Sequence, residues 1–495
     1  MEDHSMFTRT SETSHTRTVD TSVVVAVLAL TGIVVSLMQT LIIPLIPQLP
    51  ALLDASAADT AWAVTATLLA GAVAVPVVGR LGDMFGKRLM LLISLGLLIA
   101  GSITGALSDS LIPLIIGRAL QGLAAGVIPL GLSIIRDALP REKVAGATAT
   151  MGASLGVGGA LGLPAAALIA QYADWHFLFW ISAGLGLAVA GLVVVTVPES
   201  EVRTGGAFDA VGAVGLAVAL VALLLAISKG SVWGWSSSIT LGLIALAVVS
   251  LFFWGWWELR TRQPLVDLRV SSRRQVLLTN LASVVFGFSM FAMTLVFPQV
   301  LQMPTETGFG LGRSMLVTGL VMAPSGIVMM LIAPLSSRIT TTRGPRTTLM
   351  IAAVVVAAGY IFGVVTMSAV WHLVAISCII GAGIGMAYGA MPALIMGAVP
   401  PSESAAANGL NALMRSLGTS MASAVAGVIL AQITITLGST ELPAQDGFRV
   451  TMALAALAAI IALALAAFLP PFVATGSTVA TGQGARKNDP APQHG

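Results

Sequence analysis

Apolar stretches separated by short polar breaks fill the chain from residue 22 to residue 470. A helix of about 20 apolar residues crosses the hydrocarbon core of a bilayer. Fourteen stretches of that order lie at 22–47, 61–80, 89–108, 111–133, 144–170, 177–197, 210–227, 238–257, 277–302, 314–335, 348–368, 370–397, 405–432 and 448–470. The tightly spaced pairs divide at Asp109 and at Trp371–His372. The pattern predicts an all-α polytopic membrane protein, and an even number of spans returns the chain to the side on which it began.

Composition agrees with the pattern. Of 495 residues 57% are hydrophobic and 9% charged, against about a quarter charged in a soluble domain, which excludes an ordinary water-soluble enzyme. The 52 glycines and 23 prolines are tolerated in membrane helices, where neighbouring helices supply the missing hydrogen bonds. The net charge of +3 is scattered through short loops, so no nucleic-acid partner is expected. Cys378 stands alone in an apolar run and reads as a packing residue, with neither a disulfide nor a CxxC metal site available to it. A nucleophile elbow, a metal-ligand cluster and the phosphate loop GxxxxGK[ST] are all missing from the sequence, so no enzymatic activity, metal or cofactor is expected.

The polar first 20 residues lack a cleavable signal, so the first span is expected to be retained. With the N-terminus inside, the inner loops carry most of the cations, among them Arg80, Lys87, Arg88, Arg136, Arg141, Lys143, Arg273, Arg274, Arg338 and Arg346. The outer loops carry only Lys229, Arg313 and Arg449. This asymmetry predicts two cytoplasmic termini. The tail from Thr475 is polar and predicted to be disordered.

A shift of 258 residues lays VPVVGRLGDMFGKR, from Val75, on APLSSRITTTRGPR, from Ala333. Pro76 meets Pro334, Arg80 meets Arg338, Gly86 meets Gly344 and Arg88 meets Arg346, whereas Asp83 meets Thr341. PREKVAGA and PPSESAAA follow the fourth span of each half at a similar shift, leaving 210–227 and 238–257 without counterparts. The predicted division is a tail over 1–21, a six-helix bundle over 22–200, two inserted helices over 201–262, a linker over 263–275, a second six-helix bundle over 276–472 and a tail over 473–495. Two repeated bundles that rock about a central face carry a solute by alternating access.

GRLGDMFGKR after the second span, LIIGRALQGLAAG from Leu114, Trp62, ADWHFLFW from Ala173, WGW from Trp233 and QPLVDLRV from Gln263 together resemble the major facilitator superfamily, in particular its 14-helix drug:proton antiporter branch. The resemblance covers nearly the whole chain. It implies a major facilitator fold and a bacterial inner-membrane exporter of small lipophilic compounds, driven by inward proton flow. A monomer is expected, with a lipophilic substrate, protons and the bilayer as its partners. An uptake carrier or facilitator, or a non-transporting sensor or scaffold, are the competing readings.

Particular residues carry these expectations. In the loop signature, Gly79, Gly82 and Gly86 allow a tight turn and close helix approach, and Asp83 stands among the cations Arg80, Lys87 and Arg88. Asp83 can accept from a helix N-terminus in the facing half and latch the cytoplasmic side, the alternative being a solvated basic turn. Arg118 is placed inside a span, with Gln121 or backbone carbonyls as packing partners or, on the resemblance, as a cavity group for coupling beside Gln39 and Asp137. Met38 stands where the branch usually has an acid, and the acidic residues all fall in loops or at span ends. A titrating carboxylate near a span end, a proton carried by the substrate, or no proton coupling at all remain open, and neutral or weakly anionic substrates are favoured over cations. Met38, Phe286, Met290, Phe291, Phe297, Gln299, Met386, Tyr388, Met391 and Asn411 are the candidate substrate wall, with Arg415 either facing the cavity or lying at the cytoplasmic interface. Gly158, Gly159, Gly162 and Pro164 are candidates for a helix bend that resembles the antiporter signature, with Gly159 where that signature usually has proline.

Overall fold

The computed structural model describes residues 21–470 except 43–44, 46–47, 201 and 438–439. The two predicted tails lie outside the described residues, save for Thr21. Among the described residues, fourteen helices are long and apolar enough to cross a membrane. In hydrocarbon a helix satisfies its own backbone, which is why the apolar runs take this form. In chain order they are α1 (Thr21–Thr40), α2 (Trp62–Phe85), α3 (Lys87–Ala106), α4 (Leu111–Ala138), α5 (Arg141–Tyr172), α6 (His176–Thr196) and α7 (Ala210–Trp233). They continue as α8 (Ser238–Arg260), α9 (Arg274–Gln302), α10 (Met315–Arg343), α11 (Pro345–Val365), α12 (Val370–Ala398), α13 (Ser404–Gln432) and α14 (Gln445–Ala467).

Several ends differ from the hydropathy reading. α1 stops at Thr40 rather than near 47, and the sequence beyond it carries Pro44 and Pro47, which have no amide for a continuing helix. Trp371 and His372 lie in the first turn of α12, because the break falls after Val365. α2 and α10 run past their apolar stretches and end at Gly86 and Gly344, whose φ of 124° and 85° are open to glycine at little cost. Those two glycines are partners in the sequence repeat, so the repeat reappears as the same helix end in each lobe. Among the described residues, one short antiparallel hairpin departs from the all-helical expectation, pairing β1 (Thr434–Leu437) with β2 (Thr440–Pro443) between α13 and α14.

Two hydrophobic cores define two lobes. Leu28, Leu91, Leu95, Leu130 and Ile135 belong to the first, and Phe286, Phe297, Tyr360, Phe448 and Met452 to the second. Along one seam α5 meets α10 through small residues. A side chain on Gly319 would strike Pro164, and one on Gly326 would strike the Gly156 backbone. Along the other seam α2 meets α13, with Gly79 against Ala405 and Gly409 against Val75. The inserted α7 and α8 lie beside this second seam, where Leu216, Leu220, Leu224 and Trp254 cluster with Ala72 of α2 and with Leu410 and Leu413 of α13. Phe252 and Val249 of α8 are exposed on its far side, as expected of a face turned to lipid.

Candidate functional site

The end of the molecule that holds Gly86 is closed by a polar clasp between the lobes. α13 begins without a side-chain cap from its own N-cap residue, Glu403, so its first amides need an acceptor from elsewhere. Asp83, in the last turn of α2 and fully buried, supplies it: its carboxylate accepts from the amide of Ala406 at 2.9 Å and of Ala405 at 3.3 Å. The positive end of the α13 dipole favours an anion there. Close approach of the two helices depends on Gly79, where a Cβ would stand 2.7 Å from the Ala405 carbonyl oxygen.

Lys87 is the buried counter-ion of the clasp. Its Nζ lies 2.6 Å from Asp137 Oδ2 and 3.7 Å from Asp83 Oδ1, and reaches Ser404 Oγ at 3.4 Å and the Pro401 carbonyl at 3.5 Å. Asp137 also accepts from Ser200 Oγ. Sequence reasoning placed Asp137 with Arg118; the structure places it in the clasp. Arg136 and Ser133, which that reasoning missed, extend the contact. Arg136 donates to the carbonyls of Val399 at 2.8 Å and Pro400 at 3.3 Å, and Ser133 Oγ meets Ser404 Oγ. Their receiver, residues 399–406, contains most of the PPSESAAA segment that marks the repeat after the fourth span of the second half. The other cations of the loop signature behave differently. Arg88 Nη2 donates to the Val194 carbonyl at 2.5 Å, while buried Arg80 lines a cleft of about 220 Å³ together with Glu403, Arg262 and Asp267. Gly82 packs on Leu130.

Arg118, near the opposite end of α4, is also buried, and all its described contacts lie within the first lobe. Nη1 donates to Gln121 Oε1 at 2.7 Å and to the Met38 carbonyl at 3.3 Å, and Nε donates to the Ala63 carbonyl at 3.3 Å. Gln121 Nε2 in turn donates to Ser102 Oγ at 2.8 Å. This is the packing alternative for Arg118, tying α1, α2, α3 and α4 together. Buried Met38 takes part through its backbone, and Gln39 is exposed.

In the second lobe the structure brings together part of the predicted substrate wall. Asn411 Nδ2 donates to Ser283 Oγ at 2.6 Å and to Asn280 Oδ1 at 3.0 Å, and Ser283 Oγ reaches Met391 Sδ at 2.9 Å. One turn further along α13, the Arg415 guanidinium sits 4.7 Å from the centre of the Tyr388 ring, whose hydroxyl contacts Met290 Sδ at 2.9 Å. Arg415 is therefore inside a helix and ten residues beyond the clasp at Ala405, and Arg118 is not alone as a cation within a span. Phe286 and Phe297 are instead fully buried in the lobe core, and Met386 is buried nearby, whereas Phe291 and Gln299 are half-buried. Gly158 and Gly162 face α1, at the Ile33 and Leu37 carbonyls, and Pro164 faces Gly319 across the lobes. α5 remains helical through all of them, Gly159 included.

The Major Facilitator Superfamily description matches residues 28–423. Among curated proteins, an uncharacterised MFS-type transporter of Mycobacterium tuberculosis is 31% identical over 293 residues, which is 58% of this chain and 42% of that protein. The chain thus aligns with only about two fifths of that relative's length. The tetracenomycin C resistance and export protein of Streptomyces glaucescens is 29% identical over 412 residues, covering 80% of this chain and 73% of that one. Multidrug resistance protein 3 of Bacillus subtilis is 24% identical over 378 residues, with 74% and 72% covered. The crystal structure of the human organic anion transporter MFSD10 superposes with a TM-score of 0.64 at 17% identity, over 90% of this chain and 99% of that one, a likeness of fold. With a family match over residues 28–423 and, among the described residues, fourteen helices long and apolar enough to cross a membrane, the chain belongs to the Major Facilitator Superfamily.

Proposed function

We propose that the chain is a secondary active exporter of small hydrophobic compounds, neutral or weakly anionic, that works by alternating access in exchange for protons. The observation that carries this reading is the Asp83 carboxylate of one lobe capping the Ala405 and Ala406 amides of the other. A cap that joins two lobes rather than two turns of one helix is a contact made in one state and broken in the next. The excess of loop cations at the clasped end supports a cytoplasmic position for it. In this state the carrier is shut on the cytoplasmic side, and the lobes part there to admit substrate.

Relatives named for multidrug resistance and for tetracenomycin C resistance and export support the export direction and a drug or antibiotic as cargo. The acids of the first lobe's helices, Asp83, Asp137 and Glu142, lie at the clasped end. Proton exchange is therefore assigned to the clasp carboxylates, of which Asp83 loses its α13 amide partners whenever the lobes separate. The test is flux of a neutral lipophilic dye in proteoliposomes under an imposed pH gradient. Dye movement that follows the gradient and is abolished by a protonophore is the expected result. Gradient-independent equilibration would make the chain a facilitator, and no movement of any tested compound would leave a scaffold.

A further inference from the structure

Among the described residues, Arg118 and Arg415 are the arginines that lie at least seven residues from either end of a membrane helix, and the structure treats them in opposite ways. Arg118 is consumed by Met38, Ala63 and Gln121. Arg415 has neither a hydrogen bond nor an ion pair among the described residues; its guanidinium rests on the face of Tyr388, and the side chain is only half-buried. At 1.5 Å per residue, Arg415 is about 15 Å along α13 from the clasp, close to mid-bilayer. Helices α9 to α13 contain no aspartate or glutamate, so the second lobe offers this cation no counter-ion at its own depth.

A charge at that depth is costly, and an aromatic face offsets only part of the cost. The missing partner is an anion from outside the protein. The surroundings say what else that anion carries. Tyr388 backs onto the first lobe, where a side chain on Gly152 would meet its backbone at 2.7 Å, and its side chain is buried, so the residue beneath Arg415 stands where the lobes meet. Met290 flanks the Tyr388 hydroxyl, and Asn411 with Met391 forms the next tier towards the clasp. A soft, adaptable apolar surface beside one unpaired guanidinium fits an amphiphile with a single negative group.

We propose that Arg415, held on the Tyr388 ring, is the binding site for the anionic group of the substrate, and that the preferred cargo is a lipophilic organic anion. This deepens the exporter reading above and rests on it. It makes Arg415, rather than Arg118, the residue that discriminates by charge.

The test uses the full chain in nanodiscs with two fluorescent probes of one skeleton, pyrenebutyrate and the uncharged pyrenebutanol, with empty nanodiscs as background. Wild-type protein binds the butyrate more tightly than the alcohol. Arg415→Gln lowers the butyrate-to-alcohol affinity ratio by about tenfold or more, the loss of one charge-assisted contact, and Arg415→Lys restores part of it. Equal loss of both probes in Arg415→Gln, with a lowered melting temperature, would assign Arg415 to packing and overturn the proposal. An unchanged ratio would overturn it as well. Because binding is read without flux, failure of this proposal is distinguishable from failure of the exporter reading, which shows as probes that proteoliposomes do not move or move without regard to the pH gradient.

Discussion

Replacing Asp83 by asparagine removes the charge of the clasp while keeping its shape. The carboxylate makes two bonds to the α13 amides, at 2.9 and 3.3 Å, and a bond to a charged acceptor contributes about 1.5–3 kcal/mol net against about 1 kcal/mol for a neutral one. Asparagine keeps one acceptor oxygen, and the longer bond belongs at the weak end of the range, so the closed state loses about 2–3 kcal/mol. At 1.4 kcal/mol per factor of ten, the closed-to-open ratio falls by about 30- to 150-fold. Folding is spared, because Lys87 keeps Asp137 at 2.6 Å and no buried charge is orphaned. Spin labels at exposed positions of the two lobes beside the clasped edge, Leu89→Cys on α3 and Arg274→Cys on α9 in a Cys378→Ala background, report the opening by pulsed electron resonance. The wild-type distance distribution is expected to be dominated by the short, clasped population, and Asp83→Asn to shift it to longer distances while transport falls sharply at unchanged abundance. Normal flux in Asp83→Asn, or lost flux with an unaltered distance distribution, would refute the clasp.

Lys87→Ala is expected to behave unlike Asp83→Asn. It leaves buried Asp83 and Asp137 without a cation and costs about 3–5 kcal/mol of folding stability, read as reduced abundance and a lower melting temperature. Gly79→Ala forces a Cβ to within 2.7 Å of the Ala405 carbonyl oxygen, a strain of about 1–3 kcal/mol that lies between the lobes. Transport is expected to fall by about tenfold with abundance retained, and a wild-type rate would show that the helices need not meet there. Arg118→Ala frees the Met38 and Ala63 carbonyls and Gln121 Oε1, so proton-linked transport is lost together with about 2–4 kcal/mol of stability, followed by thermal unfolding in detergent. Lost transport with an unchanged melting temperature would separate Arg118 from packing.

The spans were legible because hydrocarbon permits so few backbone solutions that length and hydropathy nearly suffice. Their ends were not, since the polar turns at Phe85 and Arg343 stay helical until a glycine stops them. Asp83 could be singled out as the one acid among cations, but its partners are backbone amides more than three hundred residues away that carry no compositional signal. Asp137 was misplaced for a related reason. Hydropathy gives depth along a helix but not azimuth, and only the packing shows that Asp137 turns to Lys87 rather than towards Arg118. The same blindness to azimuth sent Phe286 and Phe297 to the cavity wall when they fill the core, and left Arg415 between the cavity and the interface.

The two seams between the lobes are unlike. One, along α5 and α10, is a run of glycines, alanine and proline in close contact; the other, along α2 and α13, is bolted at a single end by the Asp83 carboxylate on the Ala405 and Ala406 amides, and the repeat copy of the bolt has Thr341 in place of the acid. A hinge that turns freely on one edge and unfastens on the other opens like a book, not like a clamshell. The spine is α5–α10 and the fore-edge is α2–α13, where Leu216, Leu220 and Leu224 of the added helix touch both covers. In the exporter proposed above, each turn of the page would shear that helix from one cover or the other, and the inserted pair stands where a binding strip would keep lipid out of the opening edge.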